Sequence, residues 1–206
     1  MINILFSGNG KVFDGVLTCI LSILKRTKTI EPFCIYVYTM DVTRIKPEYT
    51  PISGEMIEFL DGVAKEYNAK NQILRVDVTD LYEQYFAKCP NEDAYCSPYT
   101  LLRLFADLVP GMPDKLLYLD VDILFQHDIE MLYNINVTDY EYAAARDHYG
   151  KYLINPNYIN AGVLLLNLAK IKETGLLVKA RKLIQTKKPF RLLITQTLHL
   201  VLFVFR

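Results

Sequence analysis

The stretch LLYLDVDILF, residues 116–125, places Asp120 and Asp122 inside an otherwise apolar run. The run predicts a strand from Lys115 to Phe125, in which residues at positions i and i+2 face the same side. Burying two like charges on one face is costly unless a cation lies between them. Carboxylate oxygens are ligands that Mg²⁺ and Mn²⁺ prefer, so the pair predicts a divalent metal site. The alternative is that the strand ends near Leu119 and that both acids are solvated.

An alternation of strands and helices precedes this stretch. Strand-like runs lie at Ile2–Ser7, Phe33–Tyr38 and Ile73–Val76, and apolar residues recur at helical spacing over residues 16–24 and 56–67. This βαβαβ order predicts an α/β fold, with a mostly parallel sheet and helices on both of its faces. Such sheets bind ligands at the carboxyl ends of their strands, which is where the two aspartates are expected.

The second half of the chain adds strands and helices without a linker or a repeat. We therefore predict a single domain over residues 1–206, with an atypical sequence after about residue 188. The predicted elements are a helix that starts at Ser97-Pro98 and reaches Leu108, strands at Tyr142–Arg146 and Ala161–Leu166, and a helix from the N-cap Asn167 through Ile184.

The composition excludes several classes of protein. With 51% hydrophobic and 22% charged residues the chain can bury a core, which excludes a disordered protein. Lys and Arg number 23, as do Asp and Glu, so there is no net charge to attract nucleic acid. No apolar stretch reaches the roughly 18 residues of a membrane span. The first residues lack the features of a secretory signal, so a cytoplasmic location is expected.

The segment Leu117–Asp122 resembles the DxD segment of the family 8 retaining glycosyltransferases, the group that contains glycogenin and bacterial lipopolysaccharide galactosyl- and glucosyltransferases. Three further segments resemble motifs of that family in the same order. They are Tyr99–Leu104, similar to its Y-x-R-L helix, Ala143–Asp147, similar to a strand that ends in an acidic sugar-site residue, and Tyr158–Asn167, similar to its F-N-A-G-V-L-L-I-N signature. Four motifs in order are far more specific than a lone DxD, which occurs often by chance.

The resemblance implies a GT-A fold, a Rossmann-like α/β/α sandwich that binds a nucleotide sugar. The implied activity is transfer of a hexose from a UDP-sugar to an acceptor hydroxyl with retained anomeric configuration, and it depends on Mn²⁺ or Mg²⁺. The implied acceptor is a bacterial-type glycan or glycolipid such as lipopolysaccharide. Peripheral contact with the inner face of the membrane is therefore expected, and nucleic acid is not expected as a partner.

The resemblance also implies roles for individual residues. Asp120 and Asp122 would bind the ion, which would neutralise charge on the departing diphosphate. Arg103 would reach the diphosphate or the donor sugar, with a surface helix charge as the alternative. The implied catalytic residues are Gln196, which would orient the reacting groups or stabilise positive charge, and Asp147, which would hold donor-sugar hydroxyls. The implied nucleotide-binding residues are Ser7, Asn9, Arg103, Asp120, Val121 and Asp122, and the implied sugar-binding residues are Arg103, Asp147, Asn160, Ala161 and Gly162.

The chain departs from the family pattern near both ends. Asn9 and Gly10 stand where members often carry an acidic pair, so base contacts are expected to differ. Thr195 and Thr197 flank Gln196 in place of acids, and the later metal-binding H-x-x-G-x-x-K-P-W stretch is lacking. A shortened or interrupted reading of a longer gene is therefore expected. A UDP-sugar-binding remnant with little or no activity is one alternative function, and an unrelated Mg²⁺-dependent nucleotidyltransferase is another.

Overall fold

A computed structural model describes residues 1–92, 97–153 and 156–186. Its strands are β1 Ile2–Ser7, β2 Phe33–Thr39, β3 Gln72–Asp77, β4 Lys115–Leu119, β5 Tyr142–Arg146 and β6 Ile159–Asn167. They form one sheet in the order β3-β2-β1-β4-β6-β5. β6 is antiparallel to its neighbours β4 and β5, and the other neighbouring pairs are parallel. Five strands therefore share one direction, and β6 alone runs against them.

Helices cover both faces of this sheet. Along β1, Ile4 and Phe6 pack with α1 and α2 on one face, whereas Leu5 packs on the other face, with α3 and α7. The predicted α/β/α sandwich with a mostly parallel sheet is confirmed. None of the helices in the described residues is long and apolar enough to cross a membrane. The helices are α1 Phe13–Arg26, α2 Gly54–Tyr67, α3 Thr79–Phe86, α4 Glu130–Tyr133, α5 Gly150–Leu153, α6 Leu168–Thr174 and α7 Leu176–Thr186, with 3-10 helices at Gly10–Val12 and Pro98–Phe105.

β4 ends at Leu119, so the prediction of a strand as far as Phe125 is wrong. The Asp120 N–H still donates to the Gly162 carbonyl of β6 at 2.7 Å. The next carbonyl along β6, that of Ala161, accepts instead from an arginine side chain. The backbone pairing with β6 thus extends one residue past the end of β4, to Asp120.

The chain turns immediately after β4, at Val121 and Asp122. This turn lies against α1 at Gly15, where an added Cβ would stand 2.8 Å from the Val121 carbonyl oxygen. A glycine at position 15 therefore lets α1 approach the turn that follows Asp120. Sequence analysis did not identify this glycine.

The segment after Ser97 is a 3-10 helix, Pro98–Phe105, rather than a helix extending to Leu108. Pro98 occupies the first turn as predicted, but Ser97 makes no side-chain capping bond. In a 3-10 helix side chains at i and i+3 lie in line, and three such positions, Tyr99, Leu102 and Phe105, are all buried.

Two helices follow Asn167 where one was predicted. The Asn167 side chain caps α6 as expected, accepting from the Lys170 N–H at 3.1 Å. Gly175 then adopts a left-handed conformation, with φ of 67°, which ends α6. Glycine takes this conformation at little cost, so the chain changes direction there before α7 begins.

Candidate active site

The sheet topology gathers the predicted site residues at one edge. β1, β4 and β5 run in the same direction, so Ser7, Asp120 and Asp147 all lie at or just beyond their carboxyl ends. β6 runs the opposite way, so Asn160, near its beginning, lies at this same edge. Residues that are more than 150 positions apart in the sequence therefore meet on one side of the molecule.

A cavity of about 270 Å³ opens at this edge. Five of the six residues predicted to bind nucleotide line this cavity, and the sixth, Arg103, does not. The residues that line it are Ser7, Gly8, Asn9, Val12, Ser97, Tyr99, Thr100, Tyr118, Asp120, Val121 and Asp122.

The Asp120 carboxylate is held from two sides. The Tyr118 hydroxyl donates to Oδ1 at 2.6 Å, and Nη1 of Arg103 lies 3.6 Å from the same oxygen. The Asp120 side chain keeps 40% of its surface exposed, whereas that of Arg103 keeps 7%. Asp120 therefore faces the cavity with a buried positive charge behind it. Asp122 is exposed in the turn, and both acids line the cavity although neither lies inside a strand.

Arg103 is buried, so the alternative of a surface helix charge is wrong. Its Nε donates to the Thr100 carbonyl at 2.8 Å, and its Nη1 donates to the Ala161 carbonyl at 2.6 Å. The guanidinium carbon lies 4.3 Å from the centre of the Tyr118 ring, a cation–π distance. The structure thus places Arg103 behind Asp120, where it ties the 3-10 helix to β6.

Tyr118 is fully enclosed, and sequence analysis did not identify it as a site residue. Burial raises the pKa of its hydroxyl; the Arg103 charge lowers that pKa and the Asp120 charge raises it further. The hydroxyl therefore remains protonated at neutral pH and is available as a donor. Ser7 Oγ lies 3.3 Å from the same hydroxyl, so the Ser7 side chain faces Tyr118 at the cavity wall.

Gly162 lies within β6 beside Asp120, so the alternative that it serves a tight turn is wrong. An added Cβ would stand 2.8 Å from Oδ2 of Asp120 and 3.1 Å from Oδ1 of Asn160. The Gly162 N–H donates to that same Asn160 oxygen at 2.8 Å. Asn160, Gly162 and Asp120 therefore form one contiguous group, with Ala161 attached to it through Arg103.

Asp147 helps to build the segment that follows β5. Its Oδ1 accepts from the backbone N–H groups of Tyr149, at 3.1 Å, and Gly150, at 2.6 Å. Its own N–H donates to the Tyr158 carbonyl at 2.9 Å. Burial, together with the Asp147 charge, raises the pKa of Tyr158 to about 12. Asp147 thus lies beside the first residues of β6, outside the residues that line the cavity.

Asn9 is buried and shapes the loop after β1. Its Oδ1 accepts from the Lys11 N–H at 3.2 Å, and its Nδ2 donates to the Glu48 carbonyl at 3.4 Å. These bonds connect the β1 loop to the segment after β2, so Asn9 has a structural function as well as a place in the cavity wall. Gln196, the predicted orienting residue, lies outside the described residues.

The family model of Glycosyl transferase family 8 matches residues 3–206, and the chain belongs to this family. A curated relative from Haemophilus influenzae is 31% identical over 188 residues, which cover 86% of this chain and 52% of the relative. Glycosyltransferase GlyA of Streptococcus pneumoniae is 30% identical over 178 residues, which cover 85% of this chain and 22% of that protein. The chain thus spans about half the length of the first relative and less of the second.

Solved structures share the fold at lower sequence identity. The galactosyltransferase LgtC in complex with donor and acceptor sugar analogs aligns with a TM-score of 0.67 and 19% identity, over 98% of this chain and 70% of that one. The apo form of the glycosyltransferase GlyE of Streptococcus pneumoniae aligns with a TM-score of 0.69 and 20% identity, over 98% of this chain and 43% of that one. The GT-A type of fold expected from the four motifs is confirmed.

Proposed function

We propose that this chain is the nucleotide-sugar-binding domain of a retaining hexosyltransferase. It transfers a hexose from a UDP-sugar to a hydroxyl of a bacterial-type glycan or glycolipid, with Mn²⁺ or Mg²⁺ bound at the cavity. The observation that carries the proposal is that Asp120 and Asp122 line the same cavity as the loop after β1, at the ligand-binding edge of the sheet. Membership of the family supports it.

The donor atoms at the cavity fit a divalent ion that is shared with a substrate. Among the described residues no group of three or more acidic, histidine or cysteine side chains gathers around a common point. Mg²⁺ and Mn²⁺ sites commonly use one or two carboxylates and complete their shell with water and phosphate oxygens. Gly162 has no Cβ, and this lets the Asp120 carboxylate lie against β6 at the cavity, with Oδ2 where a Cβ would stand 2.8 Å away.

Each residue then has a role in the reaction. Asp120 and Asp122 hold the ion, which supplies positive charge to the leaving diphosphate. The loop Ser7–Asn9 and Val121 bind the nucleotide, while Asp147 and the Asn160–Gly162 segment bind the donor sugar. Arg103 acts from behind Asp120, where its buried charge balances the carboxylate.

Retention of configuration has two known physical routes. A covalent intermediate needs a carboxylate close to the anomeric carbon. Thr195 and Thr197 stand where the family has acids. This chain is therefore better suited to the second route, in which the acceptor hydroxyl attacks the anomeric carbon from the face on which the diphosphate leaves. In that case the departing diphosphate accepts the proton of the acceptor hydroxyl, and Gln196 orients the sugar.

The acceptor that we propose is a glycolipid or glycan at the cytoplasmic face of the membrane. The location that we propose is therefore cytoplasmic, with peripheral contact at the inner face. The second candidate function is a UDP-sugar-binding remnant without turnover, which the two threonines beside Gln196 favour.

Titration calorimetry with UDP in the presence of Mn²⁺, paired with a donor-hydrolysis assay, tests the proposal. We expect the chain to bind UDP in an Mn²⁺-dependent manner, and Asp120→Asn with Asp122→Asn to abolish that dependence. The matched control is Asp80→Asn with Asp139→Asn, which neutralises two exposed acids away from the cavity and should leave UDP binding unchanged.

The outcomes separate the candidate functions. UDP binding with donor hydrolysis supports the transferase, and binding without any turnover supports the remnant. If the chain does not bind UDP, or if the loss of both aspartates leaves UDP binding unchanged, both candidate functions are contradicted.

A further inference from the structure

The Tyr118 hydroxyl joins two strands at the cavity wall. It donates to Oδ1 of Asp120 at 2.6 Å, and Oγ of Ser7 lies 3.3 Å from it. A phenol has one proton to donate, and an ionised carboxylate can only accept. Ser7 must therefore be the donor to Tyr118, which makes a directed chain of hydrogen bonds from Ser7 through Tyr118 to Asp120.

Arg103 does not pair fully with Asp120, and its Nε and Nη1 donate to the Thr100 and Ala161 carbonyls. Nη1 of Arg103 is 3.6 Å from Oδ1, longer than a charge-assisted hydrogen bond, and the guanidinium instead stacks on the Tyr118 ring. An arginine fork can engage both oxygens of a carboxylate at once. Without the phenol hydroxyl, Asp120 would be free to turn its oxygens towards that fork.

The other oxygen of Asp120 lies against β6. Oδ2 faces Gly162, at the position where a Cβ would stand 2.8 Å away. One oxygen is thus held by the tyrosine and the second lies beside the glycine of β6, so the carboxylate is fixed from both ends.

We propose that Tyr118 is a positioning residue that fixes the rotation of the Asp120 carboxylate and so holds this carboxylate at the cavity wall for the divalent ion. This inference rests on the proposed function, because it takes the ion from there. Hydrogen bonds that orient a metal ligand typically change metal affinity 10- to 100-fold when they are lost. Tyr118 is therefore part of the metal site although it does not touch the ion.

The test is a Mn²⁺ titration of the full chain followed by electron paramagnetic resonance, with a thermal melt of each variant. We expect Tyr118→Phe to weaken Mn²⁺ binding about tenfold while the protein remains folded. Ser7→Ala should weaken Mn²⁺ binding by less, since this change removes only the hydrogen bond from Ser7 to the Tyr118 hydroxyl. The matched control is Tyr38→Phe, because the Tyr38 hydroxyl is buried in the neighbouring sheet region without a hydrogen-bond partner in the described part of the chain. It should leave Mn²⁺ affinity at the wild-type value.

Folded Tyr118→Phe protein that binds Mn²⁺ as tightly as wild type overturns the positioning role and leaves the proposed transferase intact. If Tyr118→Phe does not fold, Ser7→Ala decides: weaker Mn²⁺ binding supports the role, and unchanged binding overturns it. A wild-type chain that binds UDP but no Mn²⁺ overturns the metal dependence in the proposed function, and the positioning role with it.

Discussion

Gly162 illustrates how a missing side chain contributes to the site. The space beside it is occupied by Oδ2 of Asp120 and Oδ1 of Asn160, both too close for an added methyl group. Its N–H is bonded to Asn160 and its carbonyl accepts from Asp120. The residue thus fixes two neighbours of the cavity through its backbone and through its lack of a Cβ.

We expect Gly162→Ala to displace the Asp120 carboxylate and to weaken Mn²⁺-dependent UDP binding at least tenfold, because the new Cβ would overlap Oδ2. Calorimetry measures the binding. The matched control is Gly62→Ala in α2, where nothing lies within 4 Å of an added Cβ. That change should raise the free energy of unfolding by about 0.5–1 kcal/mol and leave binding unaffected. Unchanged UDP binding in Gly162→Ala would contradict the close-contact explanation.

The site residues differ in how visible they are in the sequence. Asp120 and Asp122 could be predicted, because charges in an apolar run require an explanation. Tyr118 could not, because a tyrosine in a buried strand is equally compatible with ordinary core packing. Gly15 was also missed, since its contact with the turn after β4 depends on how closely a helix packs.

At the scale of elements, a buried ion pair connects α7 to the turn that follows the 3-10 helix carrying Arg103. Arg181 donates to both carboxylate oxygens of Asp107, at 2.5 and 2.9 Å, and also to the Leu104 carbonyl. Both side chains are almost fully buried. The bond to the Leu104 carbonyl holds the 3-10 helix at the residue next to Arg103, and so supports the side of the cavity that this helix forms.

Breaking this pair from one side should be strongly destabilising. We expect Arg181→Met to lower the free energy of unfolding by about 3–5 kcal/mol, because Asp107 would remain buried without its partner. Urea denaturation measures the loss. The double change of Arg181→Met with Asp107→Leu should recover much of the stability, since no unpaired charge is left. A single variant as stable as wild type would show that Asp107 is satisfied in another way.

The elements themselves were predicted to different degrees. The strands of the first half were found because apolar runs identify them, whereas α3, Thr79–Phe86, was missed because it is short and buries only Tyr82 and Phe86. The break at Gly175 was also missed, because a lone glycine in a helical pattern is compatible with an unbroken helix. The end of β4 at Leu119 was only the alternative to a strand that reaches Phe125, because the apolar run continues through the turn at Val121 and Asp122.

At the scale of the whole molecule, Asp128 joins parts of the chain that are a hundred residues apart. Its carboxylate accepts from the Glu130 N–H at 3.0 Å, from the Lys28 N–H at 2.8 Å and from the Thr27 hydroxyl at 3.2 Å. These bonds, led by that from Glu130, hold the pKa of Asp128 below its ordinary value. The end of α1 is thereby attached to the segment just before α4.

This attachment should make stability depend on pH. A carboxyl whose pKa is lower in the folded state stabilises the fold above its unfolded pKa, about 3.9, and the contribution is lost as the pH falls further. We expect the melting temperature of wild type to fall more steeply below about pH 4 than that of Asp128→Asn, which has no charge to lose. Melting curves between about pH 6 and pH 3 check this. Parallel declines in the two proteins would contradict it.

The reversed direction of β6 determines where the protein can tolerate insertions and deletions near the cavity. β6 is antiparallel to β5, so the chain leaves the sheet at Asp147 and returns to the same end of it at Tyr158. The Asp147 N–H donates to the Tyr158 carbonyl at 2.9 Å and closes this segment. For such a closed loop, doubling the length costs only about 0.6 kcal/mol in chain entropy. Insertions and deletions between these two residues can therefore accumulate beside the residues proposed to bind the donor sugar, while the sheet stays intact. Variants with altered substrate preference should therefore arise in segment 147–158 at the smallest cost to folding.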